Sequence, residues 1–508
     1  MKGRPLDGGG LLCWQRASVC DSMDTEATKE DIGKGYDCLE DTADQQLKPS
    51  NKALAAVLLS GAFLAILNQT LLATAIPQIM RDLSLTENTA QWLTTIFMLV
   101  NGIMIPISAF LTATFTARKL FLFSMASFAV GTVICAIAPN FFLLIVGRII
   151  QAAGAGILMP LMMTIFLFIF PIHKRGTAMG MVGLVISFAP AIGPALSGWI
   201  IEQYPWRALF YIILPLILID MVIAYFVMKN VTEQTYPKLD VFSLILSTLG
   251  FGGLLYGFSS AGNEGWSSRF VLASLTIGTV SLIVFIWRQL KLAEPMLDFR
   301  ILRYRTFALT TGIGMIGFIS MIGSETILPI YMQNMAGYSA LQSGLVLMPG
   351  AIVMGIMSPI NGRIFDRIGG RWLILTGMMI TVLTTVGFTG LSEDTSLVYL
   401  SVMFALRMLG ISMVMMPSTT AGLNVLPPQL LAHGTAMNNT MRQVAASIGT
   451  AILITIMTSS VSSSQGRTPA AMIHGVNVAF WAAVAISLGG LILGLFVYDR
   501  KPEEARTS

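Results

Sequence analysis

Five charged side chains lie inside long apolar stretches of this chain. Asp220 and Glu325 are the acids, and Arg148, Arg407 and Arg442 are the bases. A charge in such a stretch is costly, so it pairs with another charge or faces a water-filled path. A carboxylic acid there can take up and release a proton, whereas arginine stays protonated. The acids are therefore candidate proton carriers, Glu325 before Asp220, and Arg148 and Arg442 are candidates for pairing with them or tuning them.

Other reactive side chains form no recognisable catalytic or metal site in the sequence. The three histidines are scattered, and the four cysteines do not have zinc spacing: His173, His433, His474, Cys13, Cys20, Cys38 and Cys135. The sequence has no G-x-x-x-x-G-K-[ST] phosphate loop. These patterns disfavour an ATP-driven pump, a membrane-embedded enzyme and a non-transporting scaffold, and they predict no cofactor, metal or nucleic-acid partner.

The composition indicates the environment of these charges. Of the 508 residues, 55% are hydrophobic and only 11% are charged, against about 25% charged in a soluble domain. The apolar stretches run to about 20 residues, the length of a membrane-spanning helix, and barrel strands would be shorter and alternating. The sequence thus predicts an all-α membrane protein.

Fourteen spans are predicted. They are residues 53–76, 92–112, 119–138, 141–165, 176–200, 206–228, 239–260, 270–291, 306–331, 341–361, 371–391, 396–417, 434–458 and 474–498. Residues 1–52 and 499–508 are expected to be tails, the first disordered because it is polar. Met23 offers an alternative start, so the sequence leaves open whether residues 1–22 belong to the native protein.

Basic residues predict which way the chain crosses the membrane. Loops after even-numbered spans hold most of them, including Arg118, Lys119, Lys174, Arg175, Lys229, Lys238, Arg300, Arg303, Arg305, Arg363, Arg367 and Arg371. Loops on the other side hold only Arg81, Arg207, Arg269 and Arg467. By the positive-inside rule both termini are expected in the cytoplasm of a cell whose plasma membrane carries the protein.

Short motifs recur in order along the two halves of the chain. Ile76-Pro77 matches Leu328-Pro329, Pro106-Ile107 matches Pro359-Ile360, Met159-Pro160 matches Met416-Pro417, and Gly176-Thr177-Ala178-Met179 matches Gly434-Thr435-Ala436-Met437. The pattern predicts a six-helix bundle at 53–229, two inserted helices at 230–305 and a second bundle at 306–498. Two parallel six-helix repeats are typical of the major facilitator fold.

A basic loop motif strengthens that interpretation. Residues 362–371 resemble the G-x-x-x-D-R-x-G-x-R loop of this superfamily, with Gly362, Asp366, Arg367, Gly369 and Arg371 at the motif positions. The residues predict a gate in which Asp366 accepts hydrogen bonds from a helix end or from arginine, with a plain basic anchor as the alternative. The first-half copy has alanine at Ala109, Ala113 and Ala117, so it lacks the acid.

Further motifs resemble one branch of that superfamily. Arg148–Gly156 resembles its fourth helix, and Ala189–Gly198, with Gly193 and Pro194, resembles the fifth-helix motif of exporters. Trp206-Arg207 and Asn438–Gly449 resemble its sixth and thirteenth helices. Over about residues 53–498 the chain resembles the EmrB/QacA-type drug:proton antiporters, and within them the lincomycin-resistance exporters.

The resemblance implies a proton-driven exporter of small hydrophobic drugs that works by alternating access. The alternative is an exporter of an endogenous metabolite, peptide or lipid whose drug resistance is incidental. Asn68 stands where many drug antiporters have aspartate, which speaks against recognition of lipophilic cations by charge. Candidate cavity residues are Asn68, Gln69, Phe97, Met98 and Tyr331. The oligomeric state is left open, with a monomer favoured.

Counting along the spans also predicts the depth of each buried charge. Glu325 and Arg148 both fall in the outer half, and Asp220 and Arg442 both fall in the inner half. Either acid could therefore form a permanent ion pair with an arginine, which is the structural alternative to reversible protonation.

Overall fold

The computed structural model describes residues 49–231, 234–235, 240–461 and 468–497. In this part of the chain fourteen helices are long and apolar enough to cross a membrane. They are α1 (Pro49–Asp82), α2 (Glu87–Thr114), α3 (Ala117–Ile137), α4 (Phe141–Ile169), α5 (Arg175–Gln203), α6 (Ala208–Val227), α7 (Val241–Glu264), α8 (Arg269–Lys291), α9 (Arg305–Asn334), α10 (Ala340–Ile368), α11 (Arg371–Gly387), α12 (Leu397–Asn424), α13 (Leu431–Ser459) and α14 (Pro469–Leu495).

The number of spans and the fold class are as predicted, but most helices are longer than their apolar stretches. α1 begins at Pro49 and ends at Asp82, so residues 49–52, the last four of the predicted tail, are helical. Polar helix ends extend beyond the apolar layer, and hydropathy does not detect them. The predicted tails at 1–48 and 499–508 lie outside the described residues.

Side-chain caps start most helices at one end of the bundle. Thr86, Asn140, Ser339, Ser396 and Thr468 each accept a hydrogen bond from the backbone N–H three residues later, at α2, α4, α10, α12 and α14. Such caps satisfy one of the free N–H groups of a first turn. By contrast, α5 follows a short 3-10 turn and has no side-chain cap from its own N-cap residue, Lys174. Its first N–H groups are therefore open to an acceptor from elsewhere.

The helices pack in two similar sets with a pair between them. In the first set α3 packs on α4 and α6, and α2 packs on α4; in the second set α11 packs on α12 and α14, and α10 packs on α12. The sets meet where α5 packs on α10 and α12, and where α13 packs on α2 and α4. The pair α7 and α8 pack on each other, and α7 also contacts α2 and α13.

Side-chain contacts identify which loops share an end of the bundle. At one end Arg118 lies over the Tyr225 ring at 4.4 Å, and the N–H of Asp298 donates to His433 Nδ1 at 3.3 Å. This end holds the loops rich in arginine and lysine and is called the basic end below. At the opposite end Asp82 Oδ2 accepts hydrogen bonds from Trp206 at 3.0 Å and Arg207 at 2.7 Å. The bond from Arg207, followed by that from Trp206, lowers the pKa of the Asp82 carboxyl.

Candidate functional site

Arg148 of α4 is fully buried and held by neutral acceptors. Its Nη1 donates to Asn68 Oδ1 of α1 at 3.0 Å and to Gln151 Oε1 at 2.9 Å, and its Nε donates to the Leu93 carbonyl at 3.2 Å. The guanidinium carbon lies 4.1 Å from the centroid of the Phe97 ring. The cage fixes the cation between α1, α2 and α4 without a carboxylate.

Arg407 of α12 is buried in a comparable way in the second set of helices. It donates to Ser324 Oγ at 3.2 Å, to the Ser320 carbonyl at 2.9 Å and, by a short bond, to Thr385 Oγ1. These acceptors lie on α9 and α11. The sequence shows this arginine as one of the charges inside the spans but indicates no role for it, because its serine partners have no recognisable spacing.

Arg442 of α13 is 5% exposed and lies with its guanidinium carbon 4.8 Å from the centroid of the Phe318 ring on α9. Its Nη1 is buried and has no hydrogen-bond partner among the described residues. Arg442 therefore differs from Arg148 and Arg407, which are each held by several oxygens.

Asp220 of α6 is buried against α1. Ser60 Oγ donates to its Oδ1 in a short bond, while Oδ2 is buried without a partner among the described residues. The close neighbour of Oδ2 is Gly61, where an added Cβ would lie 3.2 Å from it. Ser60 is a partner that sequence reasoning missed, because a serine among apolar residues has no distinguishing spacing.

Glu325 of α9 is exposed although it lies deep within a spanning helix. Ile322 and Phe318, one and two turns nearer the basic end on the same helical face, are partly exposed. This stripe is the open face of α9, whereas its other faces pack on α10, α12, α13 and α14.

The alternative of a permanent ion pair with arginine is seen for neither acid among the described residues. The two ion pairs among the described residues are Arg207 with Asp82 and Arg288 with Asp240, both at 2.7 Å and both near helix ends. Neither Glu325 nor Asp220 is a member of either pair. Similar depth along two helices does not bring side chains together, because the direction of each side chain around its helix is not set by depth.

Asp366 bridges the two sets of helices at the basic end. Its Oδ1 accepts the Gly176 N–H at 2.7 Å, and its Oδ2 accepts the Thr177 N–H at 2.8 Å and the Thr177 hydroxyl at 2.5 Å. Gly176 and Thr177 are in the first turn of α5, where N–H groups are free and the helix dipole favours an anion. Asp366 of α10 thus caps the N-terminus of α5, although the two helices are far apart in the sequence.

Two glycines allow the helices to approach at that cap. A Cβ on Gly362 would overlap the Gly176 carbonyl and lie 3.1 Å from Thr177 Cα, and a Cβ on Gly176 would meet Asp366 Oδ1 at 2.5 Å. Close packing of α5 on α10 therefore requires glycine at both positions. Gly176 and Thr177 were recognised in the sequence as part of a repeat, but their role as the partner of Asp366 was not.

The remaining motif residues lie at the end of α10 and the start of α11. Gly369 ends α10 with φ +84°, a backbone conformation that glycine adopts without strain. Arg367 is exposed in the last turn of α10, and Arg371 begins α11.

Further contacts join the two sets close to the basic end. Arg175 Nη1 donates to Asn424 Oδ1 at 3.1 Å, and Thr164 Oγ1 lies 2.6 Å from Thr435 Oγ1. Asn439 Nδ2 lies 3.3 Å from Met163 Sδ. With Asp366, these contacts connect α4 and α5 to α10, α12 and α13.

The motif in α5 packs against α1. A Cβ on Gly193 would overlap the Thr70 side chain, and Thr70 Oγ1 donates to the Ala189 carbonyl at 3.5 Å. Pro194 is exposed on the other side of α5. Gly193 thus allows α1 to approach, and Pro194 removes one N–H from the helix at the same level.

The predicted cavity residues separate into two groups. Met98 is 47% exposed and Gln69 is partly exposed, and for these two a place in the cavity lining stays a prediction. Asn68, Phe97 and Tyr331 are at most 2% exposed, so the structure does not place them on an open surface. Asn68 and Phe97 contact Arg148, and Tyr331 donates to the Ser392 carbonyl at 2.6 Å.

Comparisons with known proteins agree with this architecture. Residues 58–450 match the Major Facilitator Superfamily family. The chain is 56% identical to the uncharacterised MFS-type transporter YcnB of Bacillus subtilis, covering 90% of this chain and 97% of that protein. It is 42% identical to the lincomycin resistance protein LmrB of Listeria innocua, covering 91% of this chain and 99% of that protein.

A solved structure shares the fold at low sequence identity. The human transporter MFSD10 superposes with a TM-score of 0.66 at 12% identity and covers 88% of this chain and 100% of that chain. This similarity bears on the fold alone. The family match over most of the chain, the relatives and the helix packing together establish that the chain belongs to the Major Facilitator Superfamily of membrane transporters.

Proposed function

We propose that the protein is a secondary active exporter that expels small hydrophobic compounds, including antibiotics, in exchange for protons. The observation that carries the proposal is Glu325, an exposed carboxyl without an ion pair in the described chain, inside a spanning helix. An intramembrane acid on an open face is a candidate proton carrier. The names of the relatives, a lincomycin resistance protein and the multidrug export protein EmrB of Haemophilus influenzae, support drug substrates.

The exporter works by alternating access, and the conformation described here is closed at the basic end. Support comes from Asp366 on the first turn of α5 and from the Arg175–Asn424 and Thr164–Thr435 contacts, all nearer the basic end than Glu325. The positive-inside rule puts the basic end, and both termini, in the cytoplasm. In this conformation protons then reach Glu325 from outside, and the substrate leaves toward the outside.

Asp366 acts as the latch of the closed gate. It bonds a helix N-terminus of the opposite half, so its bonds must break for the basic end to open. Hydrogen bonds to a charged group contribute about 1.5–3 kcal/mol each, which is enough to bias two states without locking one. The first half has Ala113 at the matching position, and the equivalent threonine, Thr435, bonds Thr164 instead. The gate therefore has one acid latch.

Everted membrane vesicles test the coupling. Substrate uptake and substrate-induced proton release are recorded together for wild type, Glu325→Gln and the matched control Glu393→Gln, an exposed acid in the loop between α11 and α12. We expect Glu325→Gln to lose both signals while still binding substrate, and the control to keep both. Normal coupled transport by Glu325→Gln would contradict the assignment of Glu325 as the proton carrier, and Asp220 would be the next acid to test.

A further inference from the structure

Arg442 is a buried cation whose charge nothing in the described chain balances. It makes no hydrogen bond or ion pair to a described residue, and its guanidinium lies over the Phe318 ring. Stacking on an aromatic ring stabilises a cation only modestly. Burying a charge without a partner is far more costly than that. The contact with Phe318 therefore leaves most of that cost uncompensated.

Arg442 lies on the face of α13 that meets the other half of the molecule. Thr435, Asn439 and Arg442 are spaced by four and three residues, so they form one stripe along the helix. The first two contact Thr164 and Met163 of α4. Arg442 is the next member of the stripe and lies further from the basic end than the two contacts with α4.

The open face of α9 borders the same place. Phe318 contacts Arg442 and begins the stripe that continues through Ile322 to the exposed Glu325. Seven residues separate Phe318 from Glu325, which is roughly 10 Å along the helix. One drug-sized molecule could therefore reach from Arg442 to Glu325.

We propose that Arg442 anchors an anionic group of the transported substrate, a carboxylate or a phosphate, with Phe318 supporting the adjoining apolar part. The guanidinium has a planar set of donors that matches these anions in two parallel hydrogen bonds. The proposal rests on the proposed function, because it assigns a substrate class to that exporter.

A pair of dyes that differ in one group tests the anchor. Rhodamine 110 carries a free carboxylate, and rhodamine 123 is its methyl ester. Binding of each dye to the purified full-length protein in lipid nanodiscs is measured by fluorescence polarisation. One charge-assisted contact corresponds to roughly a 10- to 100-fold preference. We expect wild type to bind the acid that much more tightly than the ester.

Variants at position 442 separate charge from geometry. Arg442→Gln should remove most of the preference for the acid, and Arg442→Lys should keep a smaller part because the charge remains but the planar donors are lost. Arg303→Gln removes an exposed arginine near the start of α9 and should keep the full preference. Should Arg442→Gln fail to elute as a folded monodisperse protein, Arg442→Lys decides the question.

Equal binding of the two dyes by wild type would overturn the anchor. So would an unchanged preference for the acid in Arg442→Gln. Where that variant does not fold, an unchanged preference in Arg442→Lys would overturn it. These outcomes are distinct from failure of the proposed exporter. Wild-type protein that shows no proton-coupled uptake of either dye, yet binds the acid more tightly than the ester, would contradict the exporter and leave the anchor standing.

Discussion

Arg148 and Asn68 form a buried hydrogen bond of 3.0 Å between α4 and α1, with a neutral amide oxygen where an ion pair would ordinarily balance the charge. Both residues are at most 2% exposed. The amide accepts from the guanidinium without neutralising it. The charge of Arg148 is instead spread over Gln151, the Leu93 carbonyl and the Phe97 ring.

Changing Asn68 should therefore affect stability according to its ability to accept a hydrogen bond. Asn68→Leu leaves a buried donor of Arg148 with one acceptor fewer, at a cost of about 1–3 kcal/mol, and should lower the melting temperature of the purified protein. Asn68→Asp keeps the acceptor and adds an opposite charge, so its melting temperature should be at or above that of wild type. Gln69→Leu, at the partly exposed neighbour, is the control. Equal melting temperatures for Asn68→Leu and Asn68→Asp would refute this account.

The cap of Asp366 on α5 should set how often the basic end is closed. Asp366→Asn removes the charge and puts an NH2 group beside N–H donors, so we expect the equilibrium to shift roughly tenfold or more toward the open state. The measurement is the distance distribution between spin labels at the exposed positions Lys119 and Arg303, on a background without native cysteines.

A matched substitution controls for loss of an acid at the same end. Glu294→Gln changes an exposed carboxyl in the loop between α8 and α9 and should leave the distances as in wild type. The latch is disproved by Asp366→Asn distances that coincide with those of wild type in the absence of substrate.

Sequence reasoning predicted the fold because the fold depends on quantities that a sequence displays. Apolar length gives the spans, and the basic loops and the repeat give their arrangement. It also named Asp366 as an acceptor, with a helix end or an arginine as the possible donor. Lys174 precedes α5 in place of the usual N-cap residues Ser, Thr, Asp or Asn. This missing cap was the signal that could have identified α5 as the helix that Asp366 caps.

The candidate site was predicted less completely because it depends on direction. Tyr331 and Glu325 lie on the same helix, yet Tyr331 is buried against the loop after α11 and Glu325 is exposed. A side chain six residues further along a helix points about 120° away from the first side chain. No feature of the sequence shows which of the two directions is open. The repeat also misleads locally, because Thr177 and Thr435 have different partners although their motifs are identical.

The contact between Gly362 and Gly176 predicts unequal effects of one substitution at two sites of α10. Gly362→Ala would place a methyl group against the Gly176 carbonyl and force α5 away from α10. Gly344→Ala adds the same methyl group to the same helix, where no atom lies within 4 Å. Alanine alone favours a helix over glycine by up to about 1 kcal/mol, so Gly344→Ala should be neutral or stabilising.

We therefore expect Gly362→Ala to lower the melting temperature and lengthen the distances between labels at the basic end, and Gly344→Ala to do neither. A Gly362→Ala protein with both properties of wild type would show that α5 and α10 need not be this close.

The ion pair of Asp240 with Arg288 predicts a pH-dependent contribution to stability. Arg288 donates to both carboxylate oxygens, at 2.7 and 3.1 Å, and Ser243 donates at 2.6 Å. The bond from Arg288, followed by that from Ser243, lowers the pKa of Asp240 from 3.8 to about 2. A carboxyl with a lowered pKa stabilises the folded protein above its unfolded pKa and loses that effect as the pH falls through the folded pKa. The stabilisation should thus be constant above about pH 4 and fade toward pH 2.

The measurement is the difference in melting temperature between wild type and Asp240→Asn at a series of pH values. We expect the same positive difference at pH 7 and pH 5, and a smaller one at pH 3, because the carboxyl of the unfolded chain has then largely gained its proton while that of the folded protein, with a pKa of about 2, is still mostly ionised. The exposed acid Asp394, changed to Asn, is the control and should show a difference near zero throughout. Since Asp240 and Arg288 are each partly exposed, solvent screens the pair and the difference should be modest. A difference that stays constant from pH 7 to pH 3, or grows on acidification, would mean that the pair of Asp240 with Arg288 does not carry the stabilisation.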